Sequence, residues 1–162
     1  AMLGAPAAAM DAQRLAEQID LMRSLLQAIP YSPLQQVSSL DGAEVIDYAA
    51  GQGLAVRQPH PLGDIVTVRA DRSPLLTYYR NNVLHLFTAP AWIAVCFLNN
   101  RRMSRAQLQR LGRTLYPFLQ AELFLPWDED GFAERIDRTI DIFVREGLLQ
   151  QVSDDDVLGP VI

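Results

Sequence analysis

Three observations predict a mainly α-helical fold with a small inserted β-hairpin. Apolar residues recur every three to four positions in several long segments, the spacing of a helix with one buried face. Those segments open on Ser or Asp and close on Gly or Pro, which is the punctuation of helix ends. Only Ile65-Val66-Thr67-Val68 shows the two-residue alternation of a half-buried strand.

Taken in order, residues 1–9 (AMLGAPAAA) lack any period and read as a disordered or vector-derived leader. Met10–Ile29 reads as an amphipathic helix, with Leu15, Ile19, Met22, Leu26 and Ile29 along one face. Pro30-Tyr31-Ser32-Pro33 ends it, since neither proline continues the ladder. Asp41 followed by Glu44 forms a variant capping box for a second helix through Ala50, stopped by Gly51 and Gly53. Leu54–Arg57 and Ile65–Arg69 flank QPHPLGD, a turn-rich stretch, and predict a hairpin over residues 54–69.

Ser73-Pro74 offers an N-cap and a first-turn proline for a third helix carrying YYRNNVLHLF. Pro90 ends that helix or starts the next, Ala91–Leu98, which is apolar nearly all round and should therefore be central. Asn99–Met103 is a polar turn. Ser104 caps a long helix through Leu111 and Leu115, which Pro117 should kink or split. Asp128–Gly131 caps the last helix, with Phe132, Ile136, Ile140 and Phe143 inward and Gly147 as its stop. Leu148–Val152 reads as one terminal strand. With 162 residues the chain fits one domain, or two small subdomains sharing a core; the absence of a linker favours a single domain over 1–162.

The composition narrows the functions. Net charge is −5 and the isoelectric point near 4.9, so no nucleic-acid footprint is expected. All 14 basic residues are arginine; without lysine there is no Schiff-base or P-loop chemistry. Cys96 is the single cysteine and lies in WIAVCFL, the setting of an inert buried thiol rather than a nucleophile. The apolar run Leu84–Leu98 contains His85 and Pro90 and reads as too short and broken to span a bilayer. Solubility with weak membrane affinity follows as the expectation.

Candidate chemistry is sparse. His60 and Asp64 have the residue types of a general-base pair, but His60 sits between Pro59 and Pro61 in the hairpin loop and reads as a solvent-exposed histidine. No metal ligand set, cofactor motif or catalytic residue is assigned. The densest polar cluster is Tyr78, Tyr79, Arg80, Asn81 and Asn82, with His85 one turn on. It is either a structural network fixing helix packing or a contact surface for another domain. If structural, Arg80 should pair with a carboxylate such as Glu122 or Asp128, because an unpaired buried charge is too costly. The acidic runs 128–130 and 154–156 read as helix-cap charge and frayed terminus, not cation sites.

LMRSLLQAIPYS, GDIVTV, LLTYYRNNVLHLF, LYPFLQAELFLPWD and REGLL, in that order, resemble the C-terminal region of the bacterial membrane-associated glycerol-3-phosphate 1-O-acyltransferase. The resemblance implies a parent enzyme that moves an acyl chain from acyl-CoA or acyl carrier protein to the 1-hydroxyl of glycerol 3-phosphate. That step belongs to phospholipid synthesis at the cytoplasmic face of the inner membrane. It also implies that the chemistry resides in an upstream domain with an H-x-x-x-x-D motif. Neither His60 nor His85 has an aspartate at that spacing, so the chain reads as a noncatalytic module, inactive alone. Its implied partners are the upstream catalytic domain and, through the parent, the membrane. A second hypothesis is a protein-binding module: Ser104-Arg105-x-x-Leu108, a helix, then Ile136 through Gly147-Leu148-Leu149 has winged-helix-like order. A self-contained enzyme is the third and the least supported.

Overall fold

The computed structural model describes residues 9–153 and 156–161. The expected leader at 1–8 lies outside them, but Ala9 does not belong to it. Ala9–Asp11 is a strand, β1. The chain divides into two compact units, with the boundary between Val83 and Leu84.

The first unit begins with β1, and the helix α1 follows at Ala12–Ala28. Met10 is therefore not the first helical residue of the amphipathic stretch. Its backbone pairs with Val66, while the Asp11 carboxylate caps α1 by accepting the Arg14 N–H at 2.9 Å. Helix α2 runs Gly42–Gly51, and Asp41 and Glu44 complete the expected capping box. Gly53, at φ 67°, turns the chain out of it. Strands β2 (Ala55–Gln58) and β3 (Ile65–Val68) form the predicted hairpin, with β3 central in an antiparallel sheet of order β1-β3-β2. Leu15, Ile46, Ala55 and Val66 make the core. The α1–α2 contact is close because Gly42 has no side chain; a Cβ there would collide with the Ala16 backbone. Asp20 accepts the Gly42 N–H at 3.1 Å, and Arg23 donates to the Ser39 and Leu40 carbonyls at 3.0 Å. Together they fix the return loop onto α1.

A 3-10 turn at Ala70–Arg72 leads directly into α3, Ser73–Val83. Ser73 is thus the first helical residue and not the N-cap. Its N–H is already given to the Arg69 carbonyl at 3.1 Å, so the turn begins the helix one step earlier than the sequence signal.

The second unit opens with a 3-10 turn, Leu84–Phe87, and α4, Thr88–Asn99. Strand β4 (Met103–Ser104), α5 (Arg105–Leu123), α6 (Glu129–Arg145), β5 (Leu149–Ser153) and β6 (Val157–Pro160) follow. The expected single terminal strand is one of three, in antiparallel order β4-β6-β5. Its missing partners were hidden because Met103–Ser104 and VLGP are too short to show a period. Helix, strand, helix, helix, strand, strand, with the third strand in the middle, is the element order of a winged helix.

Helix α6 anchors this core. Phe132, Ile136 and Ile140 are fully buried, as are Leu108 and Tyr116 from α5, Ile93 from α4 and Leu158 from β6. Tyr116 stacks on Phe132 with centroids 4.9 Å apart. Gly112 lets α5 approach, since a Cβ there would meet the Ile136 side chain. The Ser104 capping box is present, and Pro117 does not split α5. Pro117 is exposed, where water can meet the carbonyl that its missing N–H leaves free. At the end of α6 the Leu148 N–H reaches the Phe143 carbonyl at 2.8 Å and the Gly147 N–H the Val144 carbonyl at 3.1 Å. Gly147, at φ 70°, makes that left-handed exit possible.

Candidate functional site

The polar cluster of α3 stands in solvent. Helix α3 has no buried residue; Tyr78 and Tyr79 are 62% and 52% exposed, and Arg80, Asn81 and Asn82 are exposed beside them. The two tyrosine rings lie 5.9 Å apart at 57°. His85 is half-buried in the 3-10 turn past the unit boundary. Arg80 is exposed, so it is not the buried charge for which a pairing with Glu122 or Asp128 was expected. Its guanidinium donates from Nε and Nη2 to Asn81 Oδ1 at 3.3 and 3.2 Å, and among the described residues it has no carboxylate partner. Asp128 is committed elsewhere, accepting the Gly131 N–H at 2.8 Å as the cap of α6. The physical reason is plain: an exposed arginine pays no desolvation penalty, so nothing forces it to find a counter-charge.

The hairpin loop holds the other sequence candidate. His60 Nδ1 accepts the Leu62 N–H at 3.2 Å. The Asp64 carboxylate is taken by Arg57 at 2.7 Å, and Asp47 takes the same guanidinium at 2.9 Å. The hydrogen bonds that Arg57 donates to Asp64 and then to Asp47 hold its pKa above the ordinary value. Each group of the apparent pair is thus bound into the hairpin by a different neighbour. A shallow open recess lies beside them, lined by Met10, Asp11, His60, Leu62, Gly63 and Ile65 among others. Cys96 is buried, and burial pushes its thiol pKa up, away from the reactive thiolate.

Sequence reasoning missed an arginine centre in the second unit. Arg105 reaches Asp137 at 3.2 Å, Asp141 at 2.8 Å and Asp156 at 3.1 Å. Burial lowers its affinity for a proton, and its hydrogen bonds to Asp141 and Asp137 more than restore it, so the net shift is upward. Asp156 is therefore no frayed end: it ties the wing turn to α5, and its carbonyl also accepts the Arg105 N–H at 3.2 Å. Asp154 and Asp155 lie outside the described residues. The readable signal was Asp137 and Asp141 one turn apart on α6, but only the fold brings them to Arg105.

LYPFLQAELFLPWD, the longest of the diagnostic blocks, is the α5–α6 connection. The Tyr116 hydroxyl and Gln120 Nε2 both donate to the Trp127 carbonyl, the latter at 2.8 Å. Arg135 lies over the Trp127 ring at 3.7 Å. The outer side of the same region is apolar and uncovered: Leu111, Leu115 and Phe118 recur at i, i+4, i+7, and Phe124 is 86% exposed in a left-handed conformation at φ 52°. A bulky residue adopts that conformation at a steric cost.

Residues 1–160 match the family described as the glycerol-3-phosphate acyltransferase C-terminal region. The chain belongs to that family. It is 58% identical over 156 residues to a glycerol-3-phosphate acyltransferase of Xanthomonas axonopodis pv. citri, covering 96% of this chain and 18% of the relative. A Xylella fastidiosa enzyme of the same name is 50% identical over the same shares. One from Pseudomonas aeruginosa is 43% identical over 154 residues, 95% of this chain and 18% of the relative. The chain thus spans about a fifth of the length of these relatives and corresponds to a C-terminal module of a larger acyltransferase. No solved structure matches it.

Proposed function

We propose that this chain is a noncatalytic packing module of a glycerol-3-phosphate acyltransferase, held against the remainder of that protein by the aromatic and polar face of α3. The remainder would transfer an acyl chain from acyl-CoA or acyl carrier protein to the 1-hydroxyl of glycerol 3-phosphate, at the cytoplasmic face of the inner membrane. The observation that carries the reading is a helix with no buried residue that presents two adjacent tyrosines and an arginine to solvent. Tyrosine and arginine are enriched where protein surfaces meet and desolvate. The stripe Leu111, Leu115, Phe118 supports it, since charged neighbours interleave with it: Arg113 pairs with Asp130 at 2.9 Å, and Arg110 and Glu122 are exposed. That mixture suits a protein contact.

The test is a full-length enzyme carrying Tyr79→Ser with Arg80→Ala. Acyl-glycerol phosphate formation should fall several-fold, while the isolated 162-residue chain melts unchanged. Full activity in the double variant would overturn the reading. A second reading, a protein-binding winged helix, is favoured by the β4-β6-β5 order. The outward side of α6 is ion-paired rather than basic, with Glu134 held by Arg138 and Asp141 by Arg105, and the chain's net charge of −5 disfavours a phosphate backbone, which leaves a protein as the partner.

A further inference from the structure

We propose that the outward face of α4, together with Arg101 and Arg102, is the surface by which this region rests on an anionic lipid bilayer. The inference deepens the membrane part of the function proposed above and rests on it.

Helix α4 (TAPAWIAVCFLN) has no charged residue in its 12 positions. Ala89, Ile93 and Cys96 are buried on one side, where α4 packs on α6. The sequence predicted a central helix because Ala91–Leu98 is apolar nearly all round, yet one side of it stays exposed. Ala91, Ala94, Val95 and Leu98 recur at i, i+3, i+4 and i+7 on the opposite side, and all four are exposed. Val95 is 54% and Leu98 77% exposed. A surface helix normally turns polar residues outward, and a helix apolar all round needs an apolar cover on every side.

The charges beside this face point to the cover. Arg101 and Arg102 follow within four residues of Leu98; both are exposed and, among the described residues, neither has a carboxylate partner. Arg105, Arg113, Arg138 and Arg145 of the same unit are held by carboxylates, while exposed Arg110 lies on α5 away from α4's bare face. In a chain of net charge −5, two guanidinium groups with no carboxylate partner among the described residues follow a charge-free helix with a bare apolar face. That pairing is complementary to a bilayer surface, with the aliphatic face at the acyl boundary and the arginine forks on lipid phosphates. The α5 stripe, with its interleaved charges, is not.

Geometry selects resting over crossing. The helical stretch Ala70–Asn99 is long and apolar enough to cross a membrane by length and composition, longer than the run Leu84–Leu98 suggested. Yet α4 alone extends about 18 Å at 1.5 Å per residue, short of the ~30 Å hydrocarbon core, and its inner face is occupied by α6.

The experiment mixes the 162-residue chain with vesicles of phosphatidylcholine alone or with added phosphatidylglycerol, and measures cosedimentation. Binding is expected to need phosphatidylglycerol and to weaken with salt. Leu98→Glu should reduce it about tenfold or more, given the cost of setting a carboxylate at the acyl boundary. Arg101→Ser with Arg102→Ser should remove the preference for anionic vesicles, and circular dichroism should show both variants folded. No wild-type binding, or binding untouched by both variants, overturns the proposal. So does resistance of the bound chain to alkaline extraction, which would mean a spanning helix. Should Leu98→Glu spare vesicle binding and abolish activity of the detergent-solubilised full-length enzyme, the face meets protein and the lipid assignment falls. The α3 reading is tested separately by the Tyr79 and Arg80 variant, so either can fail alone.

Discussion

Helices α4 and α6 belong to the same unit and are built from opposite patterns. In α6 the buried residues Phe132, Ala133, Ile136, Thr139, Ile140 and Phe143 alternate with charged Glu134, Arg138 and Asp141 facing out. Helix α4 is apolar on both sides and buries a third of its residues. The difference teaches that α6 completes its own burial within the chain, whereas α4 leaves one side bare and α3 has no buried residue. A mutation in α6 should therefore be felt as stability, and one on the outer faces of α3 or α4 as function.

The largest expected effect breaks the self-contained half of that comparison. Phe132→Ala removes a fully buried ring stacked on Tyr116 and should cost about 3–5 kcal/mol by chemical denaturation. A loss near 1 kcal/mol would mean that α6 is less central than its burial implies.

Two glycines sharpen the comparison between units. Gly42→Ala drives a methyl into the Ala16 backbone, which cannot yield without moving α1 from α2. A loss of about 3 kcal/mol is expected, at the top of the overpacking range. At Gly112 the obstacle is the flexible end of Ile136, which can rotate, so Gly112→Ala should cost about 1–2 kcal/mol. Thermal melts of the two variants decide it, and a reversed order would show that the first unit accommodates what the second cannot.

The smallest effect belongs to the other half of the comparison. Arg80→Ala should change the stability of the isolated chain by less than about 0.5 kcal/mol, because among the described residues its one partner is the neighbouring Asn81 and exposed contacts contribute little. A drop of several kcal/mol would restore the buried-pair expectation.

Local chemistry was legible wherever the signal and its cause lie within one turn. Asp41 with Glu44, Ser104, and Asp128 with Gly131 cap their helices as the sequence indicates, because each cap bonds a partner three residues on. The α6 stripe was legible because burial on one side enforces the period. Strands β1 and β4 were not, since each has three residues or fewer and pairs with a strand far along the chain, and β6 has only four residues, two of them Gly159 and Pro160. The candidate site was half legible. Tyr78, Tyr79, Arg80, Asn81, Asn82 and His85 stand out in composition, but nothing in the local sequence distinguishes a buried network from an exposed surface.

By itself, then, the sequence determined the helix ends, the amphipathic stripes, the hairpin and the kinship with an acyltransferase C-terminal region. Those depend on neighbours within a few residues, or on ordered blocks read along the chain. Only the tertiary structure decided which apolar residues are covered. It set Arg105 among three carboxylates drawn from positions 137, 141 and 156, and left Arg80 in solvent. It also turned the evenly apolar α4 into a helix with one face inside and one face bare. Burial is a property of what packs against a side chain, and a periodic pattern specifies a face without specifying its partner.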